Sequence, residues 1–245
     1  MSLNGYKAPK GGGNGGNRVE QPTIEPGGYP ARLAQLIDLG VQPQRAYKGE
    51  DKPPAHEVMF TYELLDVFMI DEDGNELEDK PRWISETFPF RNLEQDLAKS
   101  TKRYRALDPK DDYNGDFTQL VTLPCTVTII HGENKKNPER PYENIGNVST
   151  MRPRDAANAP ELKNTPRVFT LDEPDMEVFY AFPEWIQTKI KGNLEFKGSA
   201  LEKALSEPRK ASEERTKGDV LGETKKARTE APKATDDDST DEGWA

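Results

Sequence analysis

Three segments of the sequence place cationic side chains beside aromatic rings. Ammonium and guanidinium groups neutralise phosphates, and flat rings stack on unpaired bases at ~1–3 kcal/mol each. The pattern therefore predicts a surface that holds a single strand of nucleic acid without reading its sequence. The residues are Arg45, Tyr47 and Lys48 in the first segment, Arg91, Lys99, Lys102, Arg103, Tyr104 and Arg105 in the second, and Lys135, Lys136, Arg140 and Tyr142 in the third.

Some of these residues also allow plainer interpretations. Basic residues on a helix usually form a solvated face, and a cation near the end of a helix stabilises its dipole. An aromatic residue within a strand is more often core than a base-stacking platform, so Trp83 is predicted to be buried. Lys135 and Lys136 stand in a loop rich in Asn and Gly. That loop needs no basic pair for solubility, so contact with nucleic acid is favoured there.

The last ten residues combine carboxylates with one aromatic ring. They hold five acidic side chains and no basic one, and a tryptophan is next to last. A large apolar ring at a chain end is not buried unless a partner supplies a pocket. The tip is therefore predicted to dock on another protein, in preference to serving only as a solubility tail. Its residues are Asp236, Asp237, Asp238, Asp241, Glu242 and Trp244.

The composition limits the size of the core and excludes several kinds of site. Hydrophobic residues make up 33% of the chain, charged residues 32%, and the mean hydropathy is −0.91. The net charge of −10 argues against passive adhesion to nucleic acid but allows a local basic groove. One cysteine cannot build a disulfide framework, and two histidines add no zinc site without carboxylates. We expect a soluble protein that is not secreted and needs no cofactor, metal or membrane.

Alternation of apolar and polar residues predicts a mainly β domain. Val58, Phe60 and Tyr62 alternate with polar neighbours, as in a half-buried strand. Asp73-Gly74 is typical of a hairpin turn after that strand. The spacing of residues 30–39 also suits a helix, but the short length and flanking Gly and Pro favour a strand. The predicted strands are residues 30–39, 55–66, 82–90, 123–131 and 142–151.

Helices are predicted at the periphery of this β domain. Asn92 with Gln95 three residues later resembles a capping box, so a helix is expected from Asn92 to about Leu107. A second helix is predicted over residues 184–191. A third, short helix is predicted after a cap formed by Ser199 and Glu202, with Leu201 and Leu205 buried. Trp185, Ile186 and Ile190 form the apolar stripe of the 184–191 helix and are expected to pack on the domain.

Three strands, a helix and two further strands are the arrangement of an OB-fold, a five-stranded Greek-key barrel. We expect this domain with its C-terminal helical extension over residues 27–206. Residues 1–26 are predicted to be a flexible Gly-rich leader, and residues 207–245 a disordered linker with the acidic tail. Residues 152–182 are predicted to be irregular. In an OB-fold the first and third basic segments are the loops that flank the binding face.

The chain resembles the single-stranded DNA-binding proteins of tailed bacteriophages, and most of all their podophage type. The resemblance lies in GGYPARLAQLIDLGVQPQ, HEVMFTYELLD, DEDGNELEDKPRWISETFPF, KSTKRYRALDP, FPEWIQTKIKGNLEFKGSALEKAL and the acidic end. It implies an OB-fold that coats single-stranded DNA during phage replication, recombination and repair in the host cytoplasm. It also implies that the tail contacts a polymerase, primase or helicase, and it allows a homo-oligomer. Related tails commonly end on an aromatic residue, whereas here Ala245 follows Trp244.

The charge of the acidic tail suggests how it could regulate DNA binding. Its carboxylates resemble a short run of phosphates, so we expect it to lie in the basic groove of its own chain until DNA displaces it. This is competition between two anions for one site, and it should weaken with salt.

Two other classes of function remain open from the sequence. An enzyme is disfavoured because no Ser/His/Asp, Cys/His or His-Glu arrangement stands at a usable spacing. Asp71, Asp73 and Asn75 suggest a calcium loop, but Glu76 and Arg82 occupy the positions where such a loop needs Gly and Glu. An adaptor or transcription coactivator that acts through protein contacts is the alternative, because an acidic tail serves it equally well.

Overall fold

The computed structural model describes residues 19–46 and 49–207, and a largely antiparallel β-sheet dominates it. Five of its six strands confirm the predicted ones, and the fold is mainly β with peripheral helices. The strands are β1 (Gly27–Gln42), β2 (Ala55–Ile70), β3 (Glu76–Pro89), β4 (Pro124–Gly132), β5 (Tyr142–Thr150) and β6 (Arg167–Phe169). The helices are α1 (Lys99–Leu107), a 3-10 turn (Phe117–Leu120), α2 (Pro153–Asn158), α3 (Met176–Ala181), α4 (Glu184–Lys191) and α5 (Ala200–Ser206).

The sheet is organised around β1. Its strand order is β3-β2-β1-β4-β5, with each neighbouring pair antiparallel, and β6 adds to β1 in parallel. Residues 27–32 of β1 pair with β4, and residues 35–37 pair with β6 on the same side farther along. β3 and β5 stand at opposite ends of this strand order. They are nevertheless in contact with each other, and α1 contacts both strands.

β1 contributes side chains to two cores, one on each face of the sheet. A register shift against β2 between Leu33 and Gln35 places Leu33 and Leu36, which are three residues apart, on the same face, in the first core. Ile37 and Leu39 lie on the opposite face, in the second core.

The first core lies inside the curve of the five main strands. Phe60 and Tyr62 of β2, Phe88 of β3 and Val127 of β4 are buried there, and Tyr104 of α1 packs on them. Phe60 contacts Phe88 edge-on, with ring centroids 5.1 Å apart. This is the face that the alternation of β2 and β4 predicts.

The second core joins the sheet to the C-terminal extension, residues 167–206. Phe169 of β6, Phe179 of α3 and Ile190 of α4 are buried against Ile37 and Leu39. The prediction that residues 152–182 are irregular is wrong for α2, β6 and α3. Each of these elements is only three to six residues long and lies in a proline-rich part of the sequence, so the residue pattern does not predict it.

Helices α4 and α5 confirm their predicted positions. Ile186 and Ile190 are buried as expected, but Trp185 is 58% exposed, so the predicted stripe is narrower than expected. The Ser199 hydroxyl accepts the Glu202 N–H at 3.1 Å, which is the predicted cap of α5.

The first helix begins later than the capping pattern predicts. Asn92 caps only a local turn, because its Oδ1 accepts the Glu94 N–H at 3.1 Å. The Gln95 and Ala98 N–H groups then bond three residues back, to Asn92 and Gln95, in successive tight turns. α1 starts at Lys99, so the predicted start at Asn92 is wrong.

Residues 19–26, which the composition assigns to the leader, contact the sheet. The Gln21 side chain donates to the Ile70 carbonyl at 3.0 Å and accepts the Ile70 N–H at 2.8 Å. Ile24 is buried, and its N–H donates to Glu143 at 2.7 Å. This short segment thereby ties the end of β2 to the start of β5.

Candidate nucleic-acid interface

One face of β3 is open to solvent along its second half. Trp83, Ser85 and Thr87 are exposed, while the residues between them are buried in the first core. Residues two apart share one face of a strand. At ~3.3 Å per residue, the open face extends over roughly 13 Å between Trp83 and Thr87.

A cleft of about 890 Å³ lies at the Trp83 end of this face. Trp83 is 37% exposed there, so the prediction that it belongs to the core is wrong. The alternation of β3 explains its position, since Ile84 and Phe88 take the inward sites. The cleft is lined by Met69, Asn164 and residues 19–21 and 79–83, together with Arg140, so its cations Lys80, Arg82 and Arg140 stand beside the carboxylates of Glu20 and Asp79.

The carboxylate of Glu63 holds the indole in place. Glu63 is fully buried on the outward side of β2, and its Oε2 accepts the Trp83 Nε1–H at 2.9 Å. The same carboxylate accepts the Asn164 side-chain amide at 2.7 Å and the Lys163 backbone N–H at 2.6 Å. One buried anion thus fixes both Trp83 and the segment that forms a wall of the cleft.

A second hollow, of about 540 Å³, lies at the other end of the open face. Arg45 from the β1–β2 loop, Thr87 of β3 and Lys189 of α4 line it, and so does Lys52. Lys189 pairs with Glu57 at 2.8 Å. The open face therefore runs between two hollows, each of which carries at least two cationic side chains.

The β4–β5 loop brings Arg140 of the third predicted segment to the Trp83 end, while Lys135 and Lys136 line neither the main cleft nor the second hollow. Lys135 and Lys136 are exposed, and Asn134 shapes their turn by accepting the Lys136 N–H at 3.2 Å. Arg140 lines the main cleft and pairs with Glu20, an exposed acidic residue. Tyr142 is exposed and lines a smaller adjoining hollow with Arg140.

The second predicted segment contributes two residues to the interior. Arg103 is 3% exposed, and its guanidinium donates two hydrogen bonds to Glu86, from Nε to Oε1 at 2.6 Å and from Nη2 to Oε2 at 3.1 Å. Tyr104 is 1% exposed. Its hydroxyl accepts the Gly115 N–H at 2.6 Å and donates to Asp108 or Asp111. A residue enclosed in this way cannot meet a nucleic acid on the surface, so we remove Arg103 and Tyr104 from the candidate site.

The other members of that segment are at the surface but only partly available. Lys99 pairs with the same Glu86 at 2.7 Å, and Arg105 pairs with Asp96 at 2.8 Å. Lys102 is exposed on α1, and Arg91 is exposed just beyond the end of β3. None of these four lines the main cleft or the second hollow.

Part of the predicted site falls outside the described residues. Tyr47 and Lys48 lie in the undescribed gap of the β1–β2 loop, so Arg45 is the only residue of the first segment with a described position. The tail residues Asp236, Asp237, Asp238, Asp241, Glu242 and Trp244 also lie outside the described ranges.

Residues 19–46 and 49–207 have three further properties that concern metal ions, the cysteine thiol and membranes. No group of three or more His, Cys, Asp or Glu side chains there could hold a metal ion. Burial raises the pKa of the Cys125 thiol to about 12, so the thiol stays protonated at neutral pH. In the same ranges, no helix has the length and apolar character needed to cross a bilayer.

Comparison of the chain with protein-family models, with curated proteins and with solved structures found no match in any of the three.

Proposed function

We propose that the chain binds single-stranded DNA along the outward face of β3. The observation that carries the proposal is the continuity of that face: an exposed tryptophan, then two small hydroxyl side chains, with a hollow at each end that is lined by at least two cationic side chains among carboxylates. Small residues let a polynucleotide approach the strand closely, and the hollows supply cations for its phosphates. This is the combination that sequence-independent binding of single strands needs.

The finer assignment that we propose for the sheet is an OB-fold. Of the five main strands, three precede α1 and two follow it, with the three-residue β6 added later, and the order β3-β2-β1-β4 is that of a Greek key. The sheet is open between β3 and β5, but Arg82 of β3 pairs with Glu143 of β5 at 3.2 Å. OB-folds are partly open barrels that bind oligonucleotides on the face of their second and third strands, which is where β3 presents Trp83.

The cellular role that we propose is that of a phage-type coat for single strands in replication, recombination and repair in the host cytoplasm. The acidic tail would contact a polymerase, primase or helicase and would compete with DNA for the basic hollows. Deleting residues 236–245 should therefore raise the affinity for single strands at low salt and abolish binding to the partner.

A salt titration tests the proposed function. A labelled oligo(dT) and a duplex of equal length are titrated with the full chain at several salt concentrations. The single strand should bind more tightly, and log K should fall with log salt by ~0.7 for each phosphate contact. Equal binding to both, or no binding to either at low salt, would contradict the proposal and favour an adaptor.

A further inference from the structure

The position of Trp83 in the cleft favours the base-stacking role that the sequence ranks below burial in the core. We infer that Trp83 is the platform on which one unpaired base stacks, that Glu63 is its positioning residue, and that Arg140 meets an adjoining phosphate. This inference rests on the proposed binding of single-stranded DNA and names the part of that surface that holds a nucleotide.

The indole is both accessible and fixed. It is 37% exposed and lines the cleft, yet its Nε1–H is bonded to Glu63 at 2.9 Å. A ring that is already held in one orientation loses little side-chain entropy when a ligand stacks on it. Trp83 therefore meets the two requirements of a stacking platform, an open surface and a defined plane.

Glu63 couples that plane to residues 163–164, of which Asn164 also lines the cleft. Its carboxylate accepts hydrogen bonds from Trp83, from Asn164 and from the Lys163 backbone, and no cationic side chain of the described ranges pairs with it. All of its donors are neutral, and three of its four hydrogen bonds come from residues 163–164, far along the chain from β2. The orientation of the indole and the position of Asn164 beside it thus depend on one buried carboxyl group.

Arg140 is a cation available to a phosphate beside this platform, and Lys80 is exposed in the same cleft. Arg140 lines this cleft and is half exposed, and its carboxylate partner, Glu20, is exposed as well. An ion pair of two exposed groups is worth little, so a phosphate can take the place of Glu20. Arg82 is less available, because it already donates to the Pro22 carbonyl at 2.8 Å and pairs with Glu143.

Fluorescence of a single-tryptophan protein tests the stacking directly. The full chain with Trp185→Phe and Trp244→Phe keeps only Trp83. Oligo(dT) should quench its emission in step with binding measured by anisotropy of the labelled strand. An abasic strand of equal length and charge should bind more weakly and leave the emission unquenched.

Substitutions then measure the contribution of each group. Trp83→Ala should weaken binding about 5- to 150-fold, the loss expected for one stacked base. Trp185→Ala is the matched control, because Trp185 is exposed on α4 and lines neither hollow. The affinity of this variant for oligo(dT) should equal that of the parent chain. Arg140→Ala should reduce the salt slope by ~0.7 with full quenching retained.

Glu63→Gln tests the positioning role in the single-tryptophan protein. The glutamine amide keeps one acceptor oxygen but places an NH2 group against the remaining donors, so the four hydrogen bonds cannot all be kept and the hold on the indole weakens. Quenching at saturation should fall while the salt slope is unchanged, which a general loss of stability would not produce. Glu57→Gln, in the other hollow, should leave the quenching intact.

The outcomes separate this inference from the proposed function. Saturated binding of oligo(dT) with unquenched Trp83 emission would refute the stacking platform and leave single-strand binding in place. No binding at low salt by the folded full chain would refute both. Because the quenching assay retains Trp83, it decides the question even if Trp83→Ala does not fold.

Discussion

The outward face of β3 and the inner side of α1 show similar side chains in opposite environments. Arg82 and Trp83 are adjacent in β3, and Arg103 and Tyr104 are adjacent in α1. Trp83 opens onto a cleft, whereas Arg103 and Tyr104 are closed inside the first core. Side-chain chemistry alone therefore does not distinguish a ligand contact from a structural one. The distinction depends on which side of the element faces the rest of the chain.

Loss of the buried ion pair between Arg103 and Glu86 should give the largest change in the free energy of unfolding and should not affect DNA binding. Arg103→Met leaves Glu86 without its two-bond partner in the core, which costs about 3–5 kcal/mol. Lys99 still reaches Glu86 at 2.7 Å, so we expect the lower part of that range. Urea unfolding measures the loss, and the affinity of the folded variant for oligo(dT) should be unchanged.

The matched control on the same helix is Arg105→Met. Its pair with Asp96 is exposed, so the change in the free energy of unfolding should stay below ~1 kcal/mol. A variant Arg103→Met that kept its stability but lost DNA affinity would overturn the contrast between the two regions.

The Tyr104 hydroxyl provides a smaller test of the same interior. Burial raises the pKa of Tyr104, so the hydroxyl stays protonated and can bond to Asp108 or Asp111. Tyr104→Phe removes this donor and the nearer of the two acceptors of the Gly115 N–H, which keeps Asp111 Oδ1 at 3.2 Å, so the cost should be about 0.5–1.5 kcal/mol. Tyr142→Phe, at an exposed position, should not change the unfolding midpoint. Equal midpoints for both variants would contradict the assignment of Tyr104 to the core.

Substitutions in the exposed β4–β5 loop should change DNA binding but not the free energy of unfolding. Lys135→Ala with Lys136→Ala should lower the salt slope for oligo(dT) by ~0.7 for each phosphate that no longer has a cation, up to ~1.4 for the pair. The unfolding midpoint in urea should stay the same, because both side chains are exposed. Lys110→Ala, in the exposed loop after α1, is the control and should leave the slope unchanged. A slope that is identical in the parent chain and in both variants would exclude the loop from the interface.

The smallest expected effect is a pH dependence from His56, at the start of β2. Its hydrogen bond to Asp38, Nε2 to Oδ1 at 2.5 Å, raises the pKa of His56. Folding thus favours the charged ring of His56. This stabilisation is fully present below about pH 6.5, the pKa of histidine in an unfolded chain. It is lost as the pH rises through the higher folded pKa.

Unfolding of His56→Gln between about pH 5 and 9 checks this contribution. The variant should show a flatter pH profile than the parent chain, by less than ~1 kcal/mol because the pair is partly exposed. A parent profile that rises with pH over this window would have the wrong sign for the Asp38 pair.

The strands of the first core could be predicted from the sequence because their alternation reports burial locally. Phe60 and Tyr62 are inward, and the same reasoning applied to β3 places Trp83 outward once Ile84 and Phe88 are inward. The aromatic character of Trp83 favours burial in the core, and the prediction gives that preference more weight than the alternation. The exposed position of this tryptophan is thus within reach of sequence reasoning, although the prediction misses it.

The rest of the site depends on contacts between distant parts of the chain. Glu63 meets residues 163–164, and Lys189 of α4 reaches the hollow beside Arg45. The interior position of Arg103 depends in the same way on Glu86 of β3. No spacing within a segment reveals such partners, because they are brought together only by the order of the strands and by the C-terminal extension.

The pairing of β1 has a consequence for how the chain is made. β1 leaves the ribosome first among the strands, yet Ile37 finds its β6 neighbour, Phe169, only after nearly all of the domain has been synthesised. Until then part of β1 presents unpaired backbone groups to other nascent chains, a well-known route to aggregation. Slow expression at low temperature should therefore improve the yield of native protein, and fragments that end before residue 167 should accumulate in inclusion bodies.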